Sequence, residues 1–350
     1  MSARDRLSAI LLRWSGRPTL MAVAVMNVIM GIGVAAILQP MAGWDAATYR
    51  RCAVLLAEGG TEFCGFLYSP LTALVARPLT WVSPTMAMIA MTLIGVTIVV
   101  IGVALETRGQ ARVDRVLFVV ASLAFAPVVY ELLLGQTTLL IAAALYPVAR
   151  RPEGFRIGVP FGIVLALAPK PLLLPILVWM LVWRRKALSA TLLTALSLTG
   201  LGIALLGLEQ YREWLQVLMG AGRETAAGTF TLSTHNNASL WPLNPVTFAI
   251  ACAVGALTIW AIRRDSSQGF VASLLAGLLL APYSLLYAFS ILLLAVKPAL
   301  ALAPRATRVL ALIANPAAVT AGVMTVWSLA VFFACLSFKR VSPRQMPERL

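Results

Sequence analysis

Long apolar runs separated by short clusters of basic residues constrain the fold of this chain more than any other feature. The first run extends over residues 19–41, and further runs follow as far as Cys335. Runs of about 17 to 25 apolar residues match the roughly 30 Å hydrocarbon core of a bilayer. A backbone in that core must satisfy its own hydrogen bonds, and the runs are too continuous for the alternating pattern of a β-barrel. The sequence therefore predicts an all-α polytopic membrane protein.

The overall composition supports this prediction. The chain is 60% hydrophobic and 12% charged, whereas soluble domains are usually about one quarter charged. The first apolar run is long enough to span a bilayer and lacks a small-residue cleavage site. We therefore expect it to be a retained first helix and not a signal peptide.

The positions of the basic residues explain the net charge of +15. Most of the 28 Lys and Arg residues occupy short clusters between or beyond the apolar runs. These clusters lie at residues 4–17, 108–115, 150–156, 184–186, 263–264, 305–308 and 339–349. This is the positive-inside pattern of a membrane protein, so the charge indicates topology. Because no cluster is interleaved with aromatic residues that could stack on bases, nucleic-acid binding is not expected.

With the basic clusters in the cytoplasm, the N-terminus is cytoplasmic and residues 43–83 lie outside. Residues 68–81 are too short to span and contain Arg77 and two prolines, so we expect a juxtamembrane or re-entrant segment there. We expect about ten to twelve transmembrane helices in a single integral membrane domain, residues 1–350. Its expected parts are helix one (19–40), an extracytoplasmic cap (43–83), helices two to seven (84–208), a long outer loop (209–244) and C-terminal helices (245–350).

The acidic residues avoid the middle of the predicted spans. Asp45 and Glu131 both fall on the outer side in this topology, Glu131 in a polar turn at residues 131–137. Transporters driven by protons or sodium commonly carry an acid at mid-membrane, so an enzyme site at the outer surface is favoured. A membrane transporter, including a flippase for a lipid-linked sugar, is the main alternative, and a non-catalytic scaffold is a third.

Asp45 is the acid best placed for chemistry. It begins a predicted surface helix over residues 44–57, in which Asp45, Tyr49 and Cys52 share one face. A carboxylate held near the bilayer surface suits a general base, because partial burial raises its pKa. Asp is also a favoured N-cap residue, which would give Asp45 a purely structural role.

The cysteines suggest a disulfide and no metal centre. Cys52 and Cys64 flank a glycine-containing stretch on the expected oxidising side, where a disulfide would stabilise the cap; two free thiols are the alternative. Four scattered cysteines and one histidine do not form a metal site. The sequence indicates no cofactor with certainty, and it leaves open whether the protein uses a divalent cation.

Two polar positions interrupt the apolar runs beyond the cap. Gln136 follows Gly135 in a polar turn and offers both a donor and an acceptor, although a tight turn without function would look the same. Lys170 lies between two prolines at the outer end of a span. There its ammonium would suit a lipid phosphate; the alternative is a lysine that snorkels to the interface.

Two late outer segments are also rich in hydrogen-bonding groups. The long outer loop closes with His235, Asn236 and Asn237, and the histidine is the only one in the chain. Neutral donors and acceptors at this density suit a sugar or a pyrophosphate-like ligand. Tyr283 lies in a later outer turn, where it could contact substrate or belong to the ordinary aromatic belt of a membrane protein.

Taken in order, these segments resemble glycosyltransferase family 87, within the C-type superfamily of polyprenyl-phosphate-sugar-dependent transferases. The resemblance covers most of residues 19–290. The matching motifs are Asp45-x-x-x-Tyr49, Tyr68-x-Pro70-Leu71, Gly135-Gln136, Lys170-Pro171, Asn237-x-Ser239 and Pro282-Tyr283-Ser284. The chain departs from the family in three respects: it is short, it has Thr137-Thr138 where an Asn usually follows Gly-Gln, and its C-terminal spans carry no alignable motif.

The resemblance implies a C-type bundle with an outer juxtamembrane cap, in the bacterial inner membrane. It implies inverting transfer of a hexose, commonly mannose, from a polyprenyl-phosphate-linked donor to a lipid or glycan acceptor on the extracytoplasmic face. Asp45 would be the catalytic base, and Lys170 with the loop of His235, Asn236 and Asn237 would hold the donor phosphate. The remaining expected substrate-binding residues are Tyr49, Tyr68, Gln136 and Tyr283.

Overall fold

The computed structural model describes residues 17–58, 64, 67–226, 237–241, 243–302, 313–314 and 321–337. Within those residues the regular elements are α-helices and 3₁₀-helices, and β-type pairing is limited to one isolated bridge between Asn237 and Leu285. Four helices of the described chain are long and apolar enough to cross a membrane. The predicted fold class, an all-α polytopic membrane protein, is therefore confirmed.

The helices follow the apolar pattern of the sequence. In the first half they are α1 (Arg17–Leu38), α2 (Trp44–Ala57), α3 (Pro70–Val75), α4 (Pro84–Glu106), α5 (Arg112–Leu123), α6 (Ala126–Leu134) and α7 (Thr138–Arg150). In the second half they are α8 (Val159–Leu167), α9 (Leu174–Trp183), α10 (Arg185–Leu206), α11 (Leu208–Ala226), α12 (Pro245–Arg264), α13 (Ser266–Leu280), α14 (Val296–Leu302) and α15 (Ala321–Ser337). The 3₁₀-helices are Gln39–Met41, Arg77–Trp81, Arg156–Gly158, Pro171–Leu173 and Leu286–Ala295.

The candidate spans are Pro18–Ala57, α4, α10 and α12, and α5 with α6 forms a fifth that is bent by 61°. The bend lies where Pro127 follows Phe125 and Ala126, and a proline at this position disfavours continuation of the preceding helix. Further apolar helices, among them α7, α9 and α13, are shorter. The count of about ten to twelve spans stays a prediction.

The described part of the predicted cap contains α2, which matches the helix predicted over residues 44–57, followed by α3 and the 3₁₀-helix Arg77–Trp81. The spanning part of Pro18–Ala57 is the apolar α1, because α2 carries Asp45, Arg50 and Arg51. Helix α3 is anchored to the end of α8 by the hydroxyls of Ser69 and Thr72, which donate to the carbonyls of Ala166 and Leu167, both at 2.6 Å. Its side of the membrane stays a prediction.

A buried helix forms the core of the second half. Helix α13 is buried almost from end to end and packs against α9, α12 and α15. The rings of Trp179 in α9 and Phe270 in α13 lie 4.9 Å apart between centroids. A Cβ at Gly277 would collide with the carbonyl of Leu172, so this glycine permits a close backbone approach. The turn that follows α13 therefore begins from a rigid support.

Candidate active site

The turn that leads into α2 fixes the position of Asp45. Gly43 has a φ of 76° and its N–H donates to the carbonyl of Leu133 at 2.7 Å, which joins the start of α2 to the end of α6. Gly43 is the N-cap of α2, and Asp45 lies in the first turn. The interpretation of Asp45 as the N-cap is therefore wrong, although a carboxylate in the first turn still gains from the helix dipole.

A second glycine turn packs directly against the first. Gly135 ends α6 with a φ of 75°, and a Cβ built on it would lie 2.9 Å from the Cβ of Ala46. The sequence predicted a polar turn over residues 131–137, but α6 continues as far as Leu134, so Glu131 is helical. The turn proper begins at Gly135 and brings the Gln136 side chain to the Asp45 face of α2.

Two tyrosines hold the amide of Gln136. The hydroxyl of Tyr68 donates to Oε1 of Gln136 at 2.6 Å, and that of Tyr49 reaches the same oxygen at 3.5 Å. The two rings meet edge to face with centroids 5.3 Å apart. Thr137 donates its hydroxyl to that of Tyr68 at 3.1 Å. The structure therefore brings together three residues that the sequence singled out, Tyr49, Tyr68 and Gln136.

Asp45 is half-buried at the edge of this network. Burial raises the pKa of its carboxyl group from 3.8 to about 6, while a hydrogen bond from Gln136 and the positive charge of Lys170 act in the opposite direction. At neutral pH the group is mostly ionised but is a stronger base than an exposed aspartate. A carboxylate with these properties can accept a proton from a hydroxyl.

Lys170 is the cation whose charge acts on Asp45. Its ammonium lies 5.3 Å from the ring centroid of Tyr68 and 5.2 Å from that of Tyr287, and it donates to the hydroxyl of Thr138 at 3.2 Å. Burial lowers the pKa of Lys170, and the negative charges of Glu131 and Asp45 oppose this. A snorkelling lysine would extend its ammonium into water, so that alternative does not fit this position.

Two members of the site were not predicted as site residues. Glu131 is 1% exposed, its Oε1 accepts the N–H of Leu139 at 2.9 Å, and its charge acts on Lys170. Tyr287 belongs to the 3₁₀-helix Leu286–Ala295. The signal for Glu131 was an acid directly beside an apolar run, but its burial depends on helix α6 continuing past it. Tyr287 gave no local signal, since an aromatic residue in an apolar segment is ordinary.

We refer to Asp45, Tyr49, Tyr68, Glu131, Gln136 and Lys170 as the polar cluster. Its residues come from α2, from the segment before α3, from α6 and the turn that follows it, and from the turn between α8 and the 3₁₀-helix Pro171–Leu173. They are distant in sequence, and the two glycine turns and the anchored α3 bring them together. A carboxylate and an ammonium group therefore belong to one partly exposed site.

A family model describes this part of the chain. The model of glycosyltransferase family 87 matches residues 66–287, which is more than half of the protein. The chain belongs to glycosyltransferase family 87. The predicted family is thus confirmed, and the family indicates that the protein is a glycosyltransferase. Comparisons with curated proteins and with solved structures gave no match.

The family 87 match includes Tyr68, Gln136 and Lys170 but begins after Asp45 and Tyr49. The position of Asp45 as a member of the site therefore depends on the structure, which places it against the matched residue Gln136. The polar cluster is therefore formed by residues within the matched region and residues that precede it.

Asn237 holds two segments of the glycosyltransferase together. Its Oδ1 accepts the N–H of Ser284 at 2.7 Å and that of Ser239 at 3.3 Å. Its amide group donates to the carbonyls of Trp241 and Pro282 at 3.3 and 3.5 Å. These hydrogen bonds show that the Asn237 side chain holds the loop together. They do not test its predicted contact with substrate. His235 and Asn236 lie outside the described residues.

The turn after α13 carries the last predicted substrate-binding residue. Tyr283 is half-buried beside Ser284, and its electrostatic influence reaches Tyr287. Because Tyr287 contacts Lys170, the turn held by Asn237 is connected to the polar cluster through these two tyrosines. Tyr283 therefore lies near the polar cluster, on the side of Tyr287.

A disulfide closes the C-terminal part of α2. Cys52 is bonded to Cys64 with the Cα atoms 5.4 Å apart and a sequence separation of 12. Cys52 is buried on the same face of α2 as Tyr49. In the described part of the chain there is no group of three or more His, Cys, Asp or Glu residues that could hold a metal ion. In that part of the chain, the structure therefore identifies no set of protein ligands for a divalent cation.

Proposed function

We propose that this family 87 enzyme transfers a hexose, with mannose as the first candidate, from a polyprenyl-phosphate-linked donor to a lipid or glycan acceptor. The observation that carries the proposal is that the Asp45 carboxylate and the Lys170 ammonium belong to one site, in which the charge of Lys170 acts on Asp45, inside a membrane-spanning chain. A base suits the acceptor hydroxyl, and a cation suits the anionic phosphate of the donor. A lipid-linked donor can reach such a site sideways from the bilayer.

Asp45 is proposed as the general base. The acceptor oxygen attacks the anomeric carbon from the face opposite to the phosphate, so the new C–O bond forms as the bond to the phosphate oxygen breaks. The configuration at that carbon is inverted. The proton of the acceptor hydroxyl moves to the Asp45 carboxylate, and the polyprenyl phosphate leaves with the bonding electrons. The pKa of Asp45, about 6, suits this proton transfer at neutral pH.

Lys170 is proposed as the partner of the donor phosphate. Part of its side chain remains exposed, while Tyr68, Tyr287 and Thr138 fix the ammonium. A fixed cation stabilises the negative charge that grows on the leaving phosphate, and it does so more strongly in a site with little water. We propose that Tyr283 and the His235–Asn237 loop complete the donor site.

The basic clusters favour an extracytoplasmic site. They lie between the spans on the side opposite to α2 in the predicted topology. The Cys52–Cys64 disulfide supports the same orientation, because disulfides persist in oxidising compartments. We therefore propose that the enzyme lies in the bacterial inner membrane with Asp45 facing outwards.

The test is transfer by purified protein in nanodiscs. Radiolabelled polyprenyl-phosphate mannose would be the donor, and a lipid extract of the source organism the acceptor pool. We expect a labelled product that disappears with Asp45→Asn, because removal of a general base lowers rates by about 10² to 10⁴. Glu58→Gln is the matched control, since Glu58 is exposed at the other end of α2. Near-normal turnover with Asp45→Asn would exclude Asp45 as the base.

The product also tests the donor and the acceptor. Mass spectrometry of the labelled species identifies the acceptor and the anomeric configuration. If wild-type protein yields no product from the mannose donor but does from another polyprenyl-phosphate hexose, the sugar assignment is wrong and the mechanism stands. Movement of donor across vesicle membranes without transfer would contradict the proposed reaction.

A further inference from the structure

The 3₁₀-helix Leu286–Ala295 carries Tyr287 near its start and is ten residues long. Runs of more than about four residues are uncommon in this conformation, because its hydrogen-bond geometry is poorer than that of an α-helix. The helix is buried along most of its length and packs against α6 and α7. Burial stabilises a 3₁₀-helix and an α-helix alike, so contacts at the ends of the segment should decide which of the two it adopts.

A proline lies just beyond the C-terminal end of this 3₁₀-helix. Residue 298 in α14 is a proline, four positions after Leu294. In a continuous α-helix the carbonyl of Leu294 would accept the N–H of residue 298, but a proline has no N–H and its ring collides with that carbonyl. Pro298 therefore prevents the segment from running into α14 as one regular α-helix, and the carbonyl of Leu294 needs another donor.

Arg150 supplies a donor to this carbonyl. Its Nη2 donates to the oxygen of Leu294 at 2.7 Å, and its Nε donates to Oε1 of Glu106 at 2.6 Å. Lys297, directly before Pro298, lies 3.5 Å from Oε2 of the same carboxylate. The side chains of Arg150 and Glu106 are only 17% and 19% exposed, so their hydrogen bond is stronger than an ordinary surface ion pair. We refer to Glu106, Arg150 and Lys297 as the ionic clamp.

The ionic clamp lies far from the polar cluster, at the other end of the same two helices. Helix α7 begins at Thr138, which accepts from Lys170, and ends at Arg150. At 1.5 Å per residue, the two ends are about 18 Å apart. The 3₁₀-helix follows the same course, from Tyr287 beside Lys170 to Leu294 at Arg150. The predicted topology puts Arg150 in the cytoplasm, because it begins the basic cluster of residues 150–156.

We propose that Arg150, held by Glu106, is a positioning residue that fixes the 3₁₀-helix and thereby keeps Tyr287 against Lys170. Arg150 touches neither substrate in this account. Seven positions separate Tyr287 from Leu294. Conversion of that stretch to an α-helix would shorten it by roughly 3.5 Å, since the rise per residue falls from about 2.0 to 1.5 Å.

A shift of this size would break the contact between Tyr287 and Lys170. The ammonium now lies 5.2 Å from the ring centroid, and a cation is attracted to an aromatic face only within about 6 Å. The ionic clamp would therefore influence the proposed donor-phosphate partner from the opposite end of α7. The proposal rests on the proposed function for the role of Lys170, whereas the contacts of the ionic clamp are independent of that function.

Arg150→Gln tests the effect on the 3₁₀-helix without any substrate. Hydrogen–deuterium exchange with mass spectrometry would be measured on the intact protein in nanodiscs. We expect the amides of residues 286–290 to exchange about ten-fold faster or more, since loss of a charge-assisted hydrogen bond shifts an equilibrium by about this factor. Arg184→Gln is the matched control, because Nε of Arg184 also donates to a backbone carbonyl, that of Val148 at 3.1 Å, which belongs to α7 itself. Unchanged exchange in Arg150→Gln, or an equal rise in Arg184→Gln, would overturn the proposal.

Steady-state kinetics separate positioning from a general loss of structure. We expect the donor KM of Arg150→Gln to rise about ten-fold, by the same factor as the exchange, while the acceptor KM stays at the wild-type value. A purely structural defect lowers the fraction of active protein, so kcat would fall with both KM values unchanged, and that result would contradict the proposal. If the exchange rises as expected but wild-type protein yields product with no donor, the proposed function fails and the role of the ionic clamp in the 3₁₀-helix stands.

Pro298→Ala provides a second test and covers a folding defect. Alanine restores an N–H that can donate to the carbonyl of Leu294, so this carbonyl depends less on Arg150. In the Pro298→Ala background, Arg150→Gln should therefore change the exchange of residues 286–290 and the donor KM less than it does in wild type. Equal effects in both backgrounds would show that the two residues do not act on one carbonyl. Failure of Arg150→Gln to fold in either background would make Arg150 a general structural residue and would also contradict the proposal.

Discussion

The hydroxyl of Tyr68 donates a 2.6 Å hydrogen bond to Oε1 of Gln136. Thr137 in turn donates to the Tyr68 oxygen at 3.1 Å, so the Tyr68 hydroxyl accepts one hydrogen bond and donates another to the glutamine. With Oε1 occupied, the NH₂ group of Gln136 is the part of the amide that faces Asp45, and its hydrogen bond favours the ionised carboxylate. We therefore propose that Gln136 orients Asp45, and its expected contact with substrate stays a prediction.

Tyr68→Phe should lower turnover about five-fold. The substitution removes one neutral hydrogen bond, of about 1 kcal/mol, that fixes Gln136 and keeps the ring beside Lys170. Tyr49→Phe is the matched control, because its hydroxyl is 3.5 Å from the same oxygen and should contribute less. Initial rates at saturating donor would measure both. Equal losses in the two variants would show that the Tyr68 contact does not orient Gln136.

The rate of transfer should rise with pH through about 6. A general base works only when deprotonated, and burial raises the pKa of Asp45 to about 6. Activity is therefore expected to fall as pH decreases below that value, and kcat/KM measured from pH 4.5 to 8 would report it. A flat profile between pH 5 and 7 would mean that a group other than Asp45 accepts the proton.

Asp45→Asn should leave the protein as stable as wild type or make it more stable. The pKa of Asp45 is raised in the folded protein, so between about pH 4 and 6 the folded state binds more protons than the unfolded state. The contribution of the carboxyl group is therefore favourable at low pH and is lost as pH rises through 6. Thermal unfolding at pH 7.5 in detergent measures the outcome. A marked fall in Tm would show that the ionised group has a structural role.

The sequence predicted the local parts of this site better than their assembly. The helix of residues 44–57 and the short segment at residues 68–81 follow from periodicity, polarity and proline positions. The approach of Gly135 to Ala46 does not, because it joins two turns far apart in the chain. Burial of Glu131 and the contact of Tyr287 with Lys170 also depend on tertiary packing, so the sequence pattern alone assigned no role to Glu131 or Tyr287.

Gly135→Ala should damage both folding and transfer. Its φ of 75° is strained for any residue with a Cβ. The added Cβ would also lie only 2.9 Å from the Cβ of Ala46, which is closer than two carbon atoms normally approach without a covalent bond. The expected loss of stability is about 1–3 kcal/mol. Gly200→Ala is the matched control, because Gly200 lies inside α10 with open space around its Cβ position and alanine favours a helix. Thermal unfolding and turnover of the two variants would be compared; equal stability would show that the two turns can separate without cost.

Loss of the Cys52–Cys64 disulfide should destabilise α2 and the site beside it. Cross-linking residues separated by 12 positions constrains the unfolded chain by roughly 3 kcal/mol. Cys52→Ala with Cys64→Ala should therefore lower Tm and reduce turnover, while Cys252→Ala, an exposed free cysteine, should do neither. Mass spectrometry under non-reducing conditions first verifies the bond. An unchanged Tm in the double variant would show that packing alone holds α2.

Asn237→Ala should lower stability and turnover together. The substitution removes the acceptor for the backbone N–H groups of Ser284 and Ser239, and an unpaired buried N–H costs about 1–3 kcal/mol. The turn that carries Tyr283 would then lose its position near Tyr287, and the contact of Tyr287 with Lys170 would be weakened as a result.

Asn237→Asp is the informative comparison, because it keeps the accepting oxygen and loses only the donor contacts at 3.3 and 3.5 Å. We expect Asp to retain most of the stability that Ala loses. If instead Ala raises the donor KM with no change in Tm, Asn237 binds substrate as its sequence motif suggested, and its place in the loop is secondary.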